Sequence, residues 1–204
     1  MISFACLSPH PPLLLPDIGT AMDKIAVAKT IGSLEKLGKK MAALQPETVV
    51  ISSPHPDWGF NVPLHFLAGD SKANVKTRLC GQDPPKDHFN EGIAYYFEKL
   101  ENLPEKIALI ASGDLSHRLK KDGPYGFHEQ GPKFDAKLIS SLQNKDVSTI
   151  IELEDEFPEA GQCGLRSFCF LLGILEGAKI PWLVDILSYE GPFGVGYLVA
   201  ELLF

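Results

Sequence analysis

The sequence predicts an α/β fold: one three-layer domain over residues 1–204, with a central, mostly parallel or mixed β-sheet flanked by helices. Three observations carry this. Apolar runs at Ile2 to Leu7, Val49 to Ile51 and Ile107 to Ala111 have the unbroken hydrophobicity of strands covered on both faces. Between the first two lies a long stretch with apolar residues mostly at three- and four-residue steps, which marks an amphipathic helix; strand, helix, strand makes a parallel βαβ unit. A third stretch, through Leu165, Phe168, Leu171, Leu172 and Leu175, is almost wholly apolar and reads as a buried helix.

In order, the first strand, Ile2 to Leu7, runs into Ser8-Pro9-His10-Pro11-Pro12, and Leu13-Leu14-Leu15 ends at Pro16. The amphipathic helix spans about Ala21 to Leu44, with Lys and Glu on its other face. The second strand stops at Ser53-Pro54-His55-Pro56, because proline cannot continue a ladder and fixes its own φ. Val62 to Ala68 reads as a further strand containing His65. Val75, Thr77 and Leu79 alternate with Lys76 and Arg78, a half-exposed strand near an edge. Asp87 is placed to cap a helix from about His88 to Glu101, with Ile93, Phe97 and Leu100 inward and His88 facing solvent. The strand Ile107 to Ala111 leads to Ser112-Gly113-Asp114-Leu115-Ser116-His117. Residues 118–131 form a long polar loop beside a strand end, a common form of active-site cover. Phe134, Leu138 and Leu142 mark a helix, and Asp146 caps a short one through Ile151. The buried helix follows Gly161-Gln162-Cys163-Gly164; strands at Trp182 to Leu187 and Val195 to Leu203 close the chain.

The 204 residues, 45% hydrophobic and 22% charged, suit one soluble globular domain. A net charge of −7 without a Lys/Arg cluster excludes a nucleic-acid partner. The start of the chain has no positive n-region, and Pro11, Pro12 and Pro16 interrupt its apolar stretch, so no signal peptide is read. No apolar run reaches the roughly 18 residues that span a bilayer, so no membrane partner is expected. The four cysteines, Cys6, Cys80, Cys163 and Cys169, show no C-x-x-C spacing, and free thiols in a cytoplasmic protein follow. Cys6 and Cys169 lie in apolar runs and read as core.

Strands end at His10, His55, His117 and Glu190, and a helix start adds Cys163. Carboxyl ends of strands in an α/β sheet share one edge, so these groups can converge. Two neutral imidazoles with one carboxylate form the facial arrangement that holds iron(II) and leaves positions open. A third histidine off the metal can move protons near neutral pH. On this basis His10, His55, Cys163 and Glu190 are metal candidates, His117 and Asp114 catalytic candidates, and His128 in the long loop a substrate contact. The position of Cys163 at a helix N-terminus predicts a lowered thiol pKa. No Gly-x-Ser-x-Gly elbow is present, which ranks an α/β-hydrolase reading last.

Taken together, Ser8-Pro9-His10, Ser53-Pro54-His55, Gly113-Asp114-Leu115-Ser116-His117-Arg118-Leu119 and Gly161-Gln162-Cys163-Gly164 resemble the class III extradiol ring-cleavage dioxygenases, specifically their catalytic-subunit (LigB-like) domain. The resemblance covers nearly the whole chain, in order. The sequence is also similar to the Memo proteins, structural relatives of these dioxygenases, in Asp114-x-x-His117 and Cys163-Gly164. The resemblance implies that His10 and His55 bind iron(II) and that His117 acts as acid and base. It further implies a small catecholic substrate chelated through both oxygens and cut by dioxygen next to the diol. The dioxygenases have a glutamate as third ligand near the start of the last helix. This sequence has none there, and Cys163, Glu159 and Glu190 are the alternatives. Two histidines and a cysteine also suit zinc or copper. Related dioxygenases often need a second subunit, so a homo-oligomer or a partner chain supplying a substrate lid is a further expectation.

Overall fold

The computed structural model describes residues 1–69 and 71–204. Its six strands are β1 (Ile2–Ser8), β2 (Thr48–Ser53), β3 (Asn74–Leu79), β4 (Ile107–Ser112), β5 (Leu183–Glu190) and β6 (Tyr197–Leu203). Its α-helices are α1 (Ala21–Ala26), α2 (Ala28–Leu44), α3 (Trp58–Ala68), α4 (Pro85–Tyr95), α5 (Gln130–Asn144), α6 (Val147–Glu156) and α7 (Leu165–Gly177). The sheet order is β3-β2-β4-β1-β6-β5. β4 pairs in parallel with both β1 and β2, and β2 with β3; β6 is antiparallel to β1 and to β5. The sheet is therefore mixed, and the carboxyl ends of β1, β2 and β4 lie side by side at its centre.

Alternation along the central strands builds the three layers. Phe4 and Cys6 of β1, Val49 and Ile51 of β2, Ala108 and Ile110 of β4 and Val199 of β6 pack with Leu34, Leu37 and Met41 of α2 and Val62 and Leu67 of α3. Their neighbours Ala5, Leu7, Val50, Leu109, Leu198 and Ala200 pack the other way, against Phe168, Leu171, Leu172 and Leu175 of α7 and Leu138 of α5. As the sequence predicts, α7 is buried almost throughout, and Cys6 and Cys169 are core residues. All four cysteines are free thiols. No helix among the described residues is long and apolar enough to cross a membrane.

Several elements differ from the sequence reading. The stretch from Ala21 to Leu44 is two helices, broken at Val27 (φ −112°, ψ 19°), and Met22 and Ile25 of α1 are exposed. The expected strand Val62 to Ala68 is the second half of α3, and His65 lies on it. Pro63 cannot donate to a ladder, and helical geometry lets Val62 and Leu67 reach the core. α4 starts at Pro85, with Pro84 at the N-cap, so Asp87 lies in the first turn and caps nothing. The earlier start rotates His88 inward: it is 2% exposed, with Nδ1 3.3 Å from Glu91 Oε2. A π-helical turn, Tyr96–Leu100, follows α4 and shifts the phase again, leaving Phe97 48% exposed while Leu100 stays buried. Helix α6 extends through Glu156, capped by Asp146 as expected.

Candidate metal centre

Three loops leave the adjacent ends of β1, β2 and β4, and the segment before α7 meets them. In register, Ser8 pairs with Ser112 and Ser52 with Ala111, so the residues just beyond, His10, His55 and Asp114, start from one line across the sheet. Cys163 arrives because Gly113 and Gly164 pack backbone to backbone. A Cβ on Gly113 would lie 2.1 Å from Gly164 Cα, so only glycine allows this approach. The Asp114 carbonyl then accepts from the N–H of Gly164 (2.9 Å) and Cys163 (3.3 Å), and the Asp114 N–H donates to Cys163 Sγ (3.3 Å).

The result is a compact donor cluster. One ligand atom each from His10, His55 and Cys163 lies within 4.8 Å of the others, and the same holds for Asp114, His117 and Cys163. His10 Nε2 is 3.7 Å from Cys163 Sγ and 3.9 Å from Asp114 Oδ2. The rings of His10 and His55 meet edge to face, with centroids 5.3 Å apart. His10 is buried, His55 is exposed, and Cys163 and His117 are half-buried.

The tautomer of His10 follows from α3. Pro63 has no N–H, so the carbonyl four residues earlier, Gly59 O, lacks its helical donor. Ser112 Oγ donates to that carbonyl at 2.5 Å. A carbonyl only accepts, so the single Ser112 proton is committed there. Its oxygen must then accept from His10 Nδ1, 3.0 Å away. Nδ1 carries the proton and the lone pair of Nε2 points toward Cys163, the form in which imidazole binds a metal. Sequence reading passed over Ser112; the signal was its position as a third strand-end serine, after Ser8 and Ser53.

Burial sets the protonation states. It pulls His10 down to about 3, helped by the nearby His55, so His10 is neutral across the physiological range. It also lowers His117, opposed by Asp114. Burial raises Asp114 to about 6, against the N–H of His10, which donates to Oδ1 at 3.0 Å. The Cys163 thiol is raised by burial and by Asp114, the reverse of the lowering expected from a helix N-terminus. Gly164 is the N-cap of α7, so the sulfur sits outside the first turn, and desolvation outweighs the helix dipole. A raised thiol with one N–H donor beside His10 and His117, both lowered by burial, has no cation next to it, and a bound metal ion supplies one. His117 Nε2 is buried without a hydrogen-bond partner. These features fit a metal.

The other sequence candidates lie elsewhere. Glu190 ends the edge strand β5, two strands from β1, and its Oε1 accepts from Thr30 N–H (2.8 Å) and Oγ1 (2.6 Å). It caps α2, whose own N-cap residue, Val27, has no polar side chain. Glu159 is paired with Arg118 at 2.9 Å in solvent. His128 Nδ1 accepts from the N–H of Gln130, at the start of α5. The long loop instead brings Tyr125 to the cluster. Its ring, 59% exposed, lies 4.9 Å from that of His117 at 42°. The sequence reading took this loop as polar and passed over Tyr125. A groove of about 1320 Å³ between α2, α3 and residues 71–73 contains none of the cluster residues, so donor geometry, not cavity size, marks the centre.

Comparison with known proteins gives the fold and the family. A solved structure, the uncharacterized protein JW3007 from Escherichia coli K12, superposes with a TM-score of 0.65 over 98% of this chain and 99% of that one. At 16% identity the likeness is one of fold. Protein CA_C1420 of Clostridium acetobutylicum is 30% identical over 269 aligned residues, 96% of this chain and 56% of that protein, so the chain spans little more than half of that relative. Residues 55–200, from His55 to the last strand, match the family described as the catalytic LigB subunit of aromatic ring-opening dioxygenase. A match over well over half of the 204 residues, on the fold and order of loops described above, makes this chain a member of the LigB family of aromatic ring-opening dioxygenase catalytic subunits.

Proposed function

We propose that the protein is a metal-dependent dioxygenase that opens the ring of a small catecholic compound, with His10, His55 and Cys163 holding the metal. The observation that carries this is the approach of His10 Nε2 to Cys163 Sγ at 3.7 Å, with His55 in reach of both. Iron(II) is the first choice of ion, and zinc and copper suit the same donors. Iron bound there supplies open coordination positions and the electrons that dioxygen chemistry needs. The chain's own groups do the rest. His117, held neutral by burial, accepts a proton from the diol, and Asp114 beside it stabilises the imidazolium that forms. Tyr125 covers one face of His117 and offers an aromatic surface to a planar ring.

The test is anaerobic loading with iron(II), followed by a panel of catechols and oxygen, reading oxygen uptake and coloured ring-opened products. An iron-loaded protein that turns over no catechol sinks the proposal. His117→Gln should lower the rate by about 10² to 10⁴ while one equivalent of metal is still bound by His10, His55 and Cys163, as for loss of a positioned proton acceptor.

A second reading is a Memo-like metal-binding or redox protein that does not cleave rings. It is favoured by one observation: the side chain grouped with His10 and His55 is Cys163, and among the described residues no glutamate belongs to the cluster. Metal retained at full stoichiometry in Cys163→Ser would remove Cys163 as a ligand and with it the basis of this reading.

A further inference from the structure

The donors at the sheet edge fall into two groups. His10, His55 and Cys163 form one; Asp114, His117 and Cys163 form the other; Cys163 alone belongs to both. Bonds from a transition metal to N, O or S donors run about 2.0–2.3 Å, so donors on one ion sit at most about 4.6 Å apart. The five donors form two triads that share one sulfur, and a thiolate can bridge two ions. The second group has free capacity. His117 Nε2 is buried without a partner, and Asp114 Oδ2 lies 3.9 Å from His10 Nε2, outside hydrogen-bond range. Its other oxygen, Oδ1, is held by the His10 N–H, which fixes the carboxylate in place.

We propose that Asp114, His117 and Cys163 form a second metal position, joined to the first through the sulfur of Cys163. The inference rests on the His10–His55–Cys163 centre proposed above. A second divalent ion takes the lone pair of His117, so its binding withdraws the proton acceptor and makes excess metal inhibitory. Two divalent ions facing one carboxylate and one thiolate keep a net positive charge. The second position is therefore weaker than the first, by about tenfold or more.

The full chain, stripped of metal, is titrated with cobalt(II) by equilibrium dialysis, with thiolate-to-cobalt absorption and electron paramagnetic resonance as further readouts. The expected result is two equivalents in the wild type. The resonance of the first ion should weaken as the second enters, because ions sharing a thiolate couple magnetically. His117→Ala and, separately, Asp114→Asn should each stop at one equivalent with the cobalt–thiolate band retained. Saturation of the wild type at one equivalent, or two equivalents in both variants, overturns the second position and leaves the first intact. No uptake by the wild type overturns both, which separates the two failures.

Discussion

Ser112 belongs to neither donor triad, yet its hydroxyl decides which nitrogen of His10 is free. It donates to Gly59 O at 2.5 Å, and His10 Nδ1 lies 3.0 Å away. Ser112→Ala should therefore weaken metal binding by about 10- to 100-fold, the usual effect of removing a partner that orients a histidine ligand. Competition with a chromophoric chelator measures this, and an unchanged affinity would show that the hydroxyl does not set the tautomer. Residue chemistry was legible for His10 and His55, because Ser-Pro-His-Pro in both contexts ties an imidazole to a strand end. It was not legible for Cys163 or His88. The state of a thiol depends on how deeply it is buried, and the direction of His88 depends on the starting residue of α4.

At the scale of elements, α2 shows how a group that reads as a ligand serves the scaffold. Glu190 accepts from the N–H and the hydroxyl of Thr30 in the first turn of α2, from the far edge of the sheet. Glu190→Ala should cost about 1 kcal/mol of stability, as for other lost caps, and should leave metal content unchanged. Urea unfolding and elemental analysis together decide it, and loss of metal would return Glu190 to the centre. Helices α4 and α7 cross at glycine. A Cβ on Gly92 would lie 2.1 Å from Phe170 O, and one on Gly173 would lie 2.0 Å from Phe89 O. Gly173→Ala should destabilise by about 1–3 kcal/mol, the range of overpacked cores, read as a lower denaturation midpoint at equal slope. The misread strand at Val62 to Ala68 has the same lesson. A short apolar run fits either period, and the helix was chosen by packing against the sheet.

For the whole molecule, one buried carboxylate ties the loop after β4 to both α5 and β5. Asp135 accepts from Ser116 N–H at 2.8 Å and from Tyr189 OH at 2.7 Å, next to His117 in the chain. Burial raises it from 3.8 to about 7. The unfolded chain releases this proton near its ordinary value, while the folded chain keeps it to about 7. The folded state thus binds more protons between those values, and this contribution to stability falls as pH rises from about 4 to about 7. It is fully present below that window and flat above it. Asp135→Asn should flatten the pH dependence of urea unfolding across this range, and a profile parallel to the wild type would sink the assignment.

The sequence by itself determined the class of fold, the buried helix, and the histidines placed where strands stop. Those features depend on local periodicity and on proline, which act within a few residues. Only the tertiary structure decided which side chain comes to lie beside them. Cys163 meets His10 across 153 positions of chain because two glycines let backbones touch, and Glu190 is kept away because β6 separates β5 from the centre. Strand order and close backbone approach are relations between distant segments, and no local pattern encodes them.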